Sequence, residues 1–68
     1  MVNVSKLRGI MAERGISQGE LADSLGMSRN TFSRKMKRGV FEYDEMGEMV
    51  SLLQIEDPAS VFFAKSGA

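Results

Sequence analysis

The segment from Arg29 to Arg38 concentrates basic and amide side chains at helical spacing. If it is a helix, Phe32 and Met36 lie four residues apart on one side of it. The opposite side then carries the polar residues Arg29, Asn30, Ser33, Arg34 and Lys37. An arginine can donate two hydrogen bonds to the O6 and N7 atoms of guanine, and an asparagine can pair with adenine in the same bidentate manner. The polar side of such a helix could therefore contact base edges. A basic amphipathic helix that is only solvated would show the same pattern, so a base-contacting helix and a solvated helix both stay open.

Charge is divided unevenly between the two halves of the chain, although the formal net charge is zero. Up to Gly39 there are eight basic and three acidic residues, whereas from Val40 onward there are one basic and six acidic residues. This segregation makes the basic half the candidate for phosphate binding. Because both halves could equally be solvated helix faces, the charge pattern does not decide between the two interpretations.

The length of 68 residues and the composition limit the classes of protein to be considered. The chain has 43% hydrophobic residues, one proline and no cysteine. We therefore expect one folded domain over residues 1–68, without disulfides or thiolate metal sites. No apolar run approaches the roughly 20 residues that span a bilayer, and no basic region followed by an apolar stretch opens the chain. The sequence predicts a cytoplasmic domain without a membrane partner.

An enzyme is the first alternative, and the residue types give it little support. The chain has no histidine or cysteine, and its acidic residues fall at solvent-facing helix positions. Its seven glycines are dispersed and do not form a phosphate-binding loop after a strand. We expect no enzymatic activity, no small-molecule substrate, no metal and no cofactor, and we interpret the six methionines as core residues.

The hydrophobic spacing predicts five helices and no strand. The second helix has the clearest start, since Ser17 and Glu20 stand at the spacing of a capping box. The third helix is expected from Arg29 to Arg38, after a serine that can act as its N-cap. The last two helices, which are acidic, are expected within residues 42–64.

The join between the second and third helices is the most informative feature of the sequence. Only Gly26, Met27 and Ser28 separate the two predicted helices, and so short a turn forces them to cross steeply. Ala22 is small enough to face the partner helix, Gly26 can reverse the direction of the chain, and Met27 can fill the angle. The sequence therefore predicts a helix-turn-helix over residues 17–38.

The segment SQGELADSLGMSRNTFSRKM, residues 17–36, resembles the helix-turn-helix of the phage repressor and Cro family, also called the Xre-like family. The matching residues are Gln18, Ala22, Gly26 and Ser28, together with Phe32 as an apolar residue at the buried position of the third helix. The resemblance covers nearly the whole chain and implies an all-α, five-helix, lambda-repressor-like domain. The chain departs from the family at Gly19, where a longer side chain is preferred, and at Phe32, where isoleucine or valine is usual. Both departures concern local packing and not the expected reading surface.

By this resemblance, the third helix enters the major groove of double-stranded DNA. Base edges would be read by Arg29, Asn30, Ser33 and Arg34. Phosphates would be contacted by Gln18, Lys35, Lys37 and Arg38, where a cation adds affinity without sequence information. The resemblance thus implies a sequence-specific transcriptional regulator of phage or prophage origin, although Gln18 could instead be a solvated residue in the first turn of its helix.

Protein contacts form a separate set of hypotheses. DNA would repel the acidic half, which is expected to face protein or solvent. We hypothesise a homodimer through the fifth helix, using Val61, Phe62 and Phe63, which would place two reading helices about one DNA turn apart. Alternatively, both rings complete a small core, although adjacent residues of one helix do not point the same way.

The competing function is a protein-interaction module, such as an antirepressor or an antitoxin-like partner, which need not expose the basic side of the third helix.

Overall fold

The computed structural model describes residues 2–63, which form five α-helices and no strand. The helices are α1 (Val4–Arg14), α2 (Gln18–Ser24), α3 (Arg29–Arg38), α4 (Tyr43–Leu53) and α5 (Pro58–Phe62). The expected all-α, five-helix architecture is confirmed, and α3 begins and ends at the predicted residues. The last residue of the predicted acidic segment 42–64 lies outside the described residues. Within residues 2–63, no helix is long and apolar enough to cross a membrane.

Polar N-caps determine where α2 and α3 begin. In the capping box of α2, the Glu20 N–H donates to Ser17 Oγ at 3.1 Å, and the Ser17 N–H donates to Glu20 Oε1 at 3.0 Å. At the start of α3, the Thr31 N–H donates to Ser28 Oγ at 3.1 Å. These bonds satisfy N–H groups that have no partner within their own helix. Both predicted N-caps are therefore confirmed.

The core is built from one side of every helix. The largest fully buried side chains are Leu7, Leu21, Phe32, Met36, Met49, Leu53 and Val61. The ring of Phe32 contacts that of Phe41, which follows α3, with centroids 5.6 Å apart. Because Phe32 and Met36 are both buried, α3 is anchored by its apolar side and its polar side faces outward.

Two side chains of α1 bind the C-terminal helices α4 and α5, of which only α4 is acidic, contrary to the expectation that both would be. Arg14 donates from Nε to the Leu53 carbonyl at 2.8 Å and from Nη2 to the Gln54 carbonyl at 3.2 Å. This guanidinium caps the C-terminal end of α4, where carbonyl groups lack partners within the helix. Lys6 Nζ donates to Ser60 Oγ of α5 at 2.7 Å. Side chains of α1 thus hydrogen-bond to α5 and to the C-terminal end of α4.

The two adjacent phenylalanine rings at the end of α5, Phe62 and Phe63, have different environments. Phe62 is 3% exposed and Val61 is fully buried, whereas Phe63 is 60% exposed. The expectation that the two rings point differently is confirmed, and the alternative in which both complete the core is wrong. Val61 and Phe62 are not available for a contact between two copies, contrary to the dimer hypothesis, because they pack inside the domain.

Candidate nucleic-acid interface

The corner between α2 and α3 consists of residues 25–28, one residue more than the sequence predicted. Gly26 has a φ of +73°, a left-handed conformation that costs other residues about 1–2 kcal/mol. The Met27 N–H donates to the Ala22 carbonyl at 3.0 Å, which closes the end of α2. The chain therefore passes from α2 into α3 through a tight, hydrogen-bonded turn.

Small and apolar side chains pack at this corner as the sequence predicted. Ala22 is buried, and Met27 is half-buried against the core. A side chain larger than alanine at position 22 would have to displace its neighbours, because protein interiors are closely packed. The corner thus sets the angle at which α3 leaves α2.

The polar side of α3 lines a hollow of about 570 Å³ together with residues from α1 and α2. Its polar lining residues are Arg8, Gln18, Asn30, Ser33, Arg34 and Lys37, which we call the α3 surface. Five of the eight predicted site residues meet here, namely Gln18, Asn30, Ser33, Arg34 and Lys37. All of the α3 surface is exposed except Gln18, which is half-buried. Three of its six side chains are cationic and none is acidic, which suits an anionic ligand.

Arg29 and Arg38 are exposed but do not line the hollow. They lie at the first and last positions of α3. The Cδ atom of Arg29 is 3.9 Å from the place that a Cβ atom would occupy on Gly19. The stem of Arg29 therefore runs beside the first turn of α2, near Gly19.

Lys35 differs from the other predicted site residues because its ammonium group is already bound. Its Nζ atom lies 2.6 Å from Oε2 and 2.8 Å from Oε1 of Glu45, in the first turn of α4. Both side chains are mostly buried, with 25% of Lys35 and 15% of Glu45 exposed. Within residues 2–63 this is the one ion pair, and it joins α3 to α4.

Arg8 is the member of the α3 surface that sequence reasoning did not identify. It lies on α1, outside the helix-turn-helix, and lines the same hollow as residues of α2 and α3. Its only signal in the sequence was membership of the basic half of the chain. Local spacing could not place it, since its position depends on how three helices cross.

The start of α2 also carries a carboxylate, Glu20, on the capping box. The pKa of the Glu20 carboxyl is lowered from its ordinary value of 4.5, first by the backbone N–H of Ser17 and then by the Ser17 hydroxyl. These donors stabilise the ionised form. The Glu20 carboxylate thus belongs to the cap of α2. Glu20 is not among the residues that line the hollow.

Comparison with known proteins identifies the family. The family model of the Cro/C1-type HTH DNA-binding domain matches residues 6–52, more than half of the chain, from α1 through α3 and most of α4. The chain belongs to this family. As a Cro/C1-type domain, it carries its helix-turn-helix in α2 and α3, and membership supports DNA binding and a role in regulation. The chain has no significant match among curated proteins or among solved structures.

Proposed function

We propose that this Cro/C1-type domain is a sequence-specific transcriptional regulator that places α3 in the major groove of double-stranded DNA. The observation that carries the proposal is the corner at residues 25–28, which projects α3 with its apolar side anchored and its polar side free. An α-helix fits the width of the major groove. Repression by occupying a site is the simplest action for such a domain, in the manner of the phage repressors that the sequence resembles.

Base edges are assigned to Asn30, Ser33 and Arg34, with Arg29 at the N-terminal end of the same helix. The first three lie within about one turn of each other on the exposed side of α3 and line a common hollow. Arginine suits guanine and asparagine suits adenine, and each bidentate pair contributes about 1–3 kcal/mol of discrimination against the wrong base. These side chains therefore supply the sequence preference.

Phosphate contacts are assigned to Gln18, Lys37 and Arg38, and we add Arg8. Gln18 and Arg8 line the α3 surface from α2 and α1, so they would meet the backbone beside the groove that α3 occupies. Arg38 stands exposed at the end of α3. The cations among these residues raise affinity for every sequence and make it depend on salt.

We further propose that two copies bind together, through an apolar groove beside α5. Of the three residues expected at this contact, Phe63 alone is exposed. It lines a groove of about 360 Å³ between α4 and α5 with Tyr43, which is 84% exposed. Contiguous exposed apolar surface favours protein contact. The groove shares no residue with the α3 surface, so a second copy can cover it while both copies hold DNA.

Selection of bound duplexes from a random pool tests the DNA-binding proposal. The wild-type domain is expected to enrich one sequence motif. Arg34→Ala should lose preference at one or two base positions. Arg38→Ala should weaken binding to all sequences alike, and it should reduce the slope of log affinity against log salt concentration by about 0.9. If the two variants behaved identically, the division into base and phosphate contacts would be wrong.

The apolar groove also favours a second candidate function, a protein-interaction module such as an antirepressor or antitoxin-like partner. Such a module would use Tyr43 and Phe63 and would have no need of the exposed cations on α3. A domain that enriches no sequence from the pool, yet retains its fold, would support this second function over the first.

A further inference from the structure

An ion pair joins the basic helix α3 to the first turn of α4. We propose that Lys35 is a positioning residue, which fixes the orientation of α3 through Glu45 and does not contact phosphate. The inference rests on the proposed DNA-binding function and gives Lys35 a different role from the phosphate contact predicted for it.

The Glu45 carboxylate is held from two directions. Both of its oxygen atoms accept from Lys35 Nζ, at 2.8 Å and 2.6 Å, and Oε1 also accepts the Glu42 N–H at 2.8 Å. That second bond satisfies a free N–H at the start of α4. Because turning toward solvent would break both contacts, the carboxylate is a fixed point to which α3 is attached.

The position of Lys35 on α3 also separates it from the residues of the α3 surface. At 3.6 residues per turn, Lys35 and Lys37 lie about 160° apart around the helix axis. Lys37 lines the hollow of the α3 surface, whereas Lys35 points to α4. A cation that is already neutralised by a carboxylate displaces few counterions from DNA, so Lys35 should add little to the salt dependence of binding.

Directional contacts have a specific use at a helix that reads bases. The apolar contacts of Phe32 and Met36 hold α3 against the core, but apolar burial is not directional. A charge-assisted hydrogen bond to a fixed acceptor is directional and resists rotation of the helix. Base recognition depends on where the side chains of α3 point, so loss of the pair should reduce sequence preference more than general affinity.

Four variants separate this role from a phosphate contact. Lys35→Met removes the ammonium, and Glu45→Gln removes the charge while keeping an oxygen for the Glu42 N–H. Lys37→Met removes a cation of the α3 surface. Lys6→Met is the matched control, because it removes the same charge and a hydrogen bond far from α3, that of Lys6 to Ser60. Each is titrated with a duplex selected by the wild-type domain and with a scrambled duplex of equal length, at several salt concentrations.

Lys37→Met is expected to lower the salt-dependence slope by about 0.9 and to keep the affinity ratio of the two duplexes. Lys35→Met should keep the slope and lower that ratio by about two- to fivefold, a fold-change equivalent to the contribution of a single ion pair. Glu45→Gln, which leaves the Lys35 ammonium without its carboxylate, should lower the ratio in the same way. A fifth variant, Lys35→Arg, can still pair with Glu45 and should keep the wild-type ratio. Lys6→Met should change neither quantity.

Two results would overturn the inference while leaving the proposed function in place. Lys35→Met could lower the slope as Lys37→Met does, which would make Lys35 a phosphate contact. It could also behave as Lys6→Met does in both measurements, which would make the ion pair a contributor to stability alone. A wild-type domain with no preference for the selected duplex would instead contradict the proposed function itself.

Discussion

At the scale of single residues, Glu20 stabilises the helix that precedes the corner. Its pKa is lower in the folded chain than the ordinary 4.5, chiefly because the Ser17 N–H donates to its carboxylate. A carboxyl with a lowered pKa in the folded state contributes stability above its unfolded pKa, and this contribution disappears as the pH falls through the folded pKa. The contribution of Glu20 should therefore be present at neutral pH and absent in acid.

Glu20→Gln tests this pH dependence, because glutamine keeps an acceptor for the Ser17 N–H but does not titrate. The wild type should exceed the variant in free energy of unfolding at about pH 7, and the difference should shrink below about pH 4.5. Urea unfolding followed by circular dichroism, at several pH values, measures both proteins. A difference that is constant from neutral to acid pH would contradict the prediction.

Gly19 gives a second prediction at this scale. An alanine Cβ would lie 3.9 Å from Arg29 Cδ and 3.9 Å from Ser17 Oγ, which is ordinary van der Waals distance. Gly19→Ala should therefore fit without moving Arg29 and raise the free energy of unfolding by up to about 1 kcal/mol, since alanine is the better helix former. Thermal unfolding measures the change, and a lower melting temperature would show that position 19 requires glycine.

At the scale of elements, the corner depends on one backbone conformation. Gly26→Ala places a Cβ on a residue with a φ of +73° and should lower the free energy of unfolding by about 1 kcal/mol. Gly9→Ala is the matched control, because Gly9 is helical and a Cβ there meets nothing within 4 Å. That variant should be more stable than the wild type. Urea unfolding that moves both variants in the same direction would contradict this account of the corner.

Helix starts were predictable because their signals are local. Ser17, Glu20 and Ser28 act within one turn of their own position, and the four-residue spacing of Phe32 and Met36 defines the buried side of α3. The end of α2 was predicted one residue too late, since the corner begins at residue 25 and not at the glycine. Signals within a helix thus predicted the elements and the polar side of α3.

Contacts between helices were not predictable in the same way. Arg8 belongs to the α3 surface although it lies on α1, and Lys35 meets Glu45 only because the loop after α3 brings α4 back against it. Both residues looked like other surface cations in the sequence. Five of the eight predicted site residues line one hollow, whereas the positions of Arg8 and Lys35 relative to it required the packed structure.

At the scale of the whole molecule, the chain separates two surfaces. The α3 surface is cationic, and the groove between α4 and α5 is apolar with Asp44 among its lining residues. DNA phosphates would repel the acidic residues of α4, so the groove would stay available with α3 in the major groove. A second copy bound at Phe63, as we propose, would therefore not compete with DNA for the α3 surface.

Phe63→Ser should weaken association of two copies on DNA, because it removes the exposed ring of the groove. Leu52→Ser is the matched control, since Leu52 is 43% exposed and does not line the groove. Sedimentation of the domain with a selected duplex should give two copies per duplex for the wild type and Leu52→Ser, and chiefly one for Phe63→Ser. A wild type that is monomeric both free and on DNA would remove the dimer proposal.

The orientation of α3 toward DNA is tested most directly by nuclear magnetic resonance of the isotope-labelled domain during titration with a selected duplex. The account predicts that the largest shifts of backbone and side-chain amides occur at Gln18, Asn30 and Arg34, and that amides of α4 and α5 facing away from the α3 surface move least. Shifts concentrated on α4 and α5, with the signals of Asn30 and Arg34 unchanged, would contradict it.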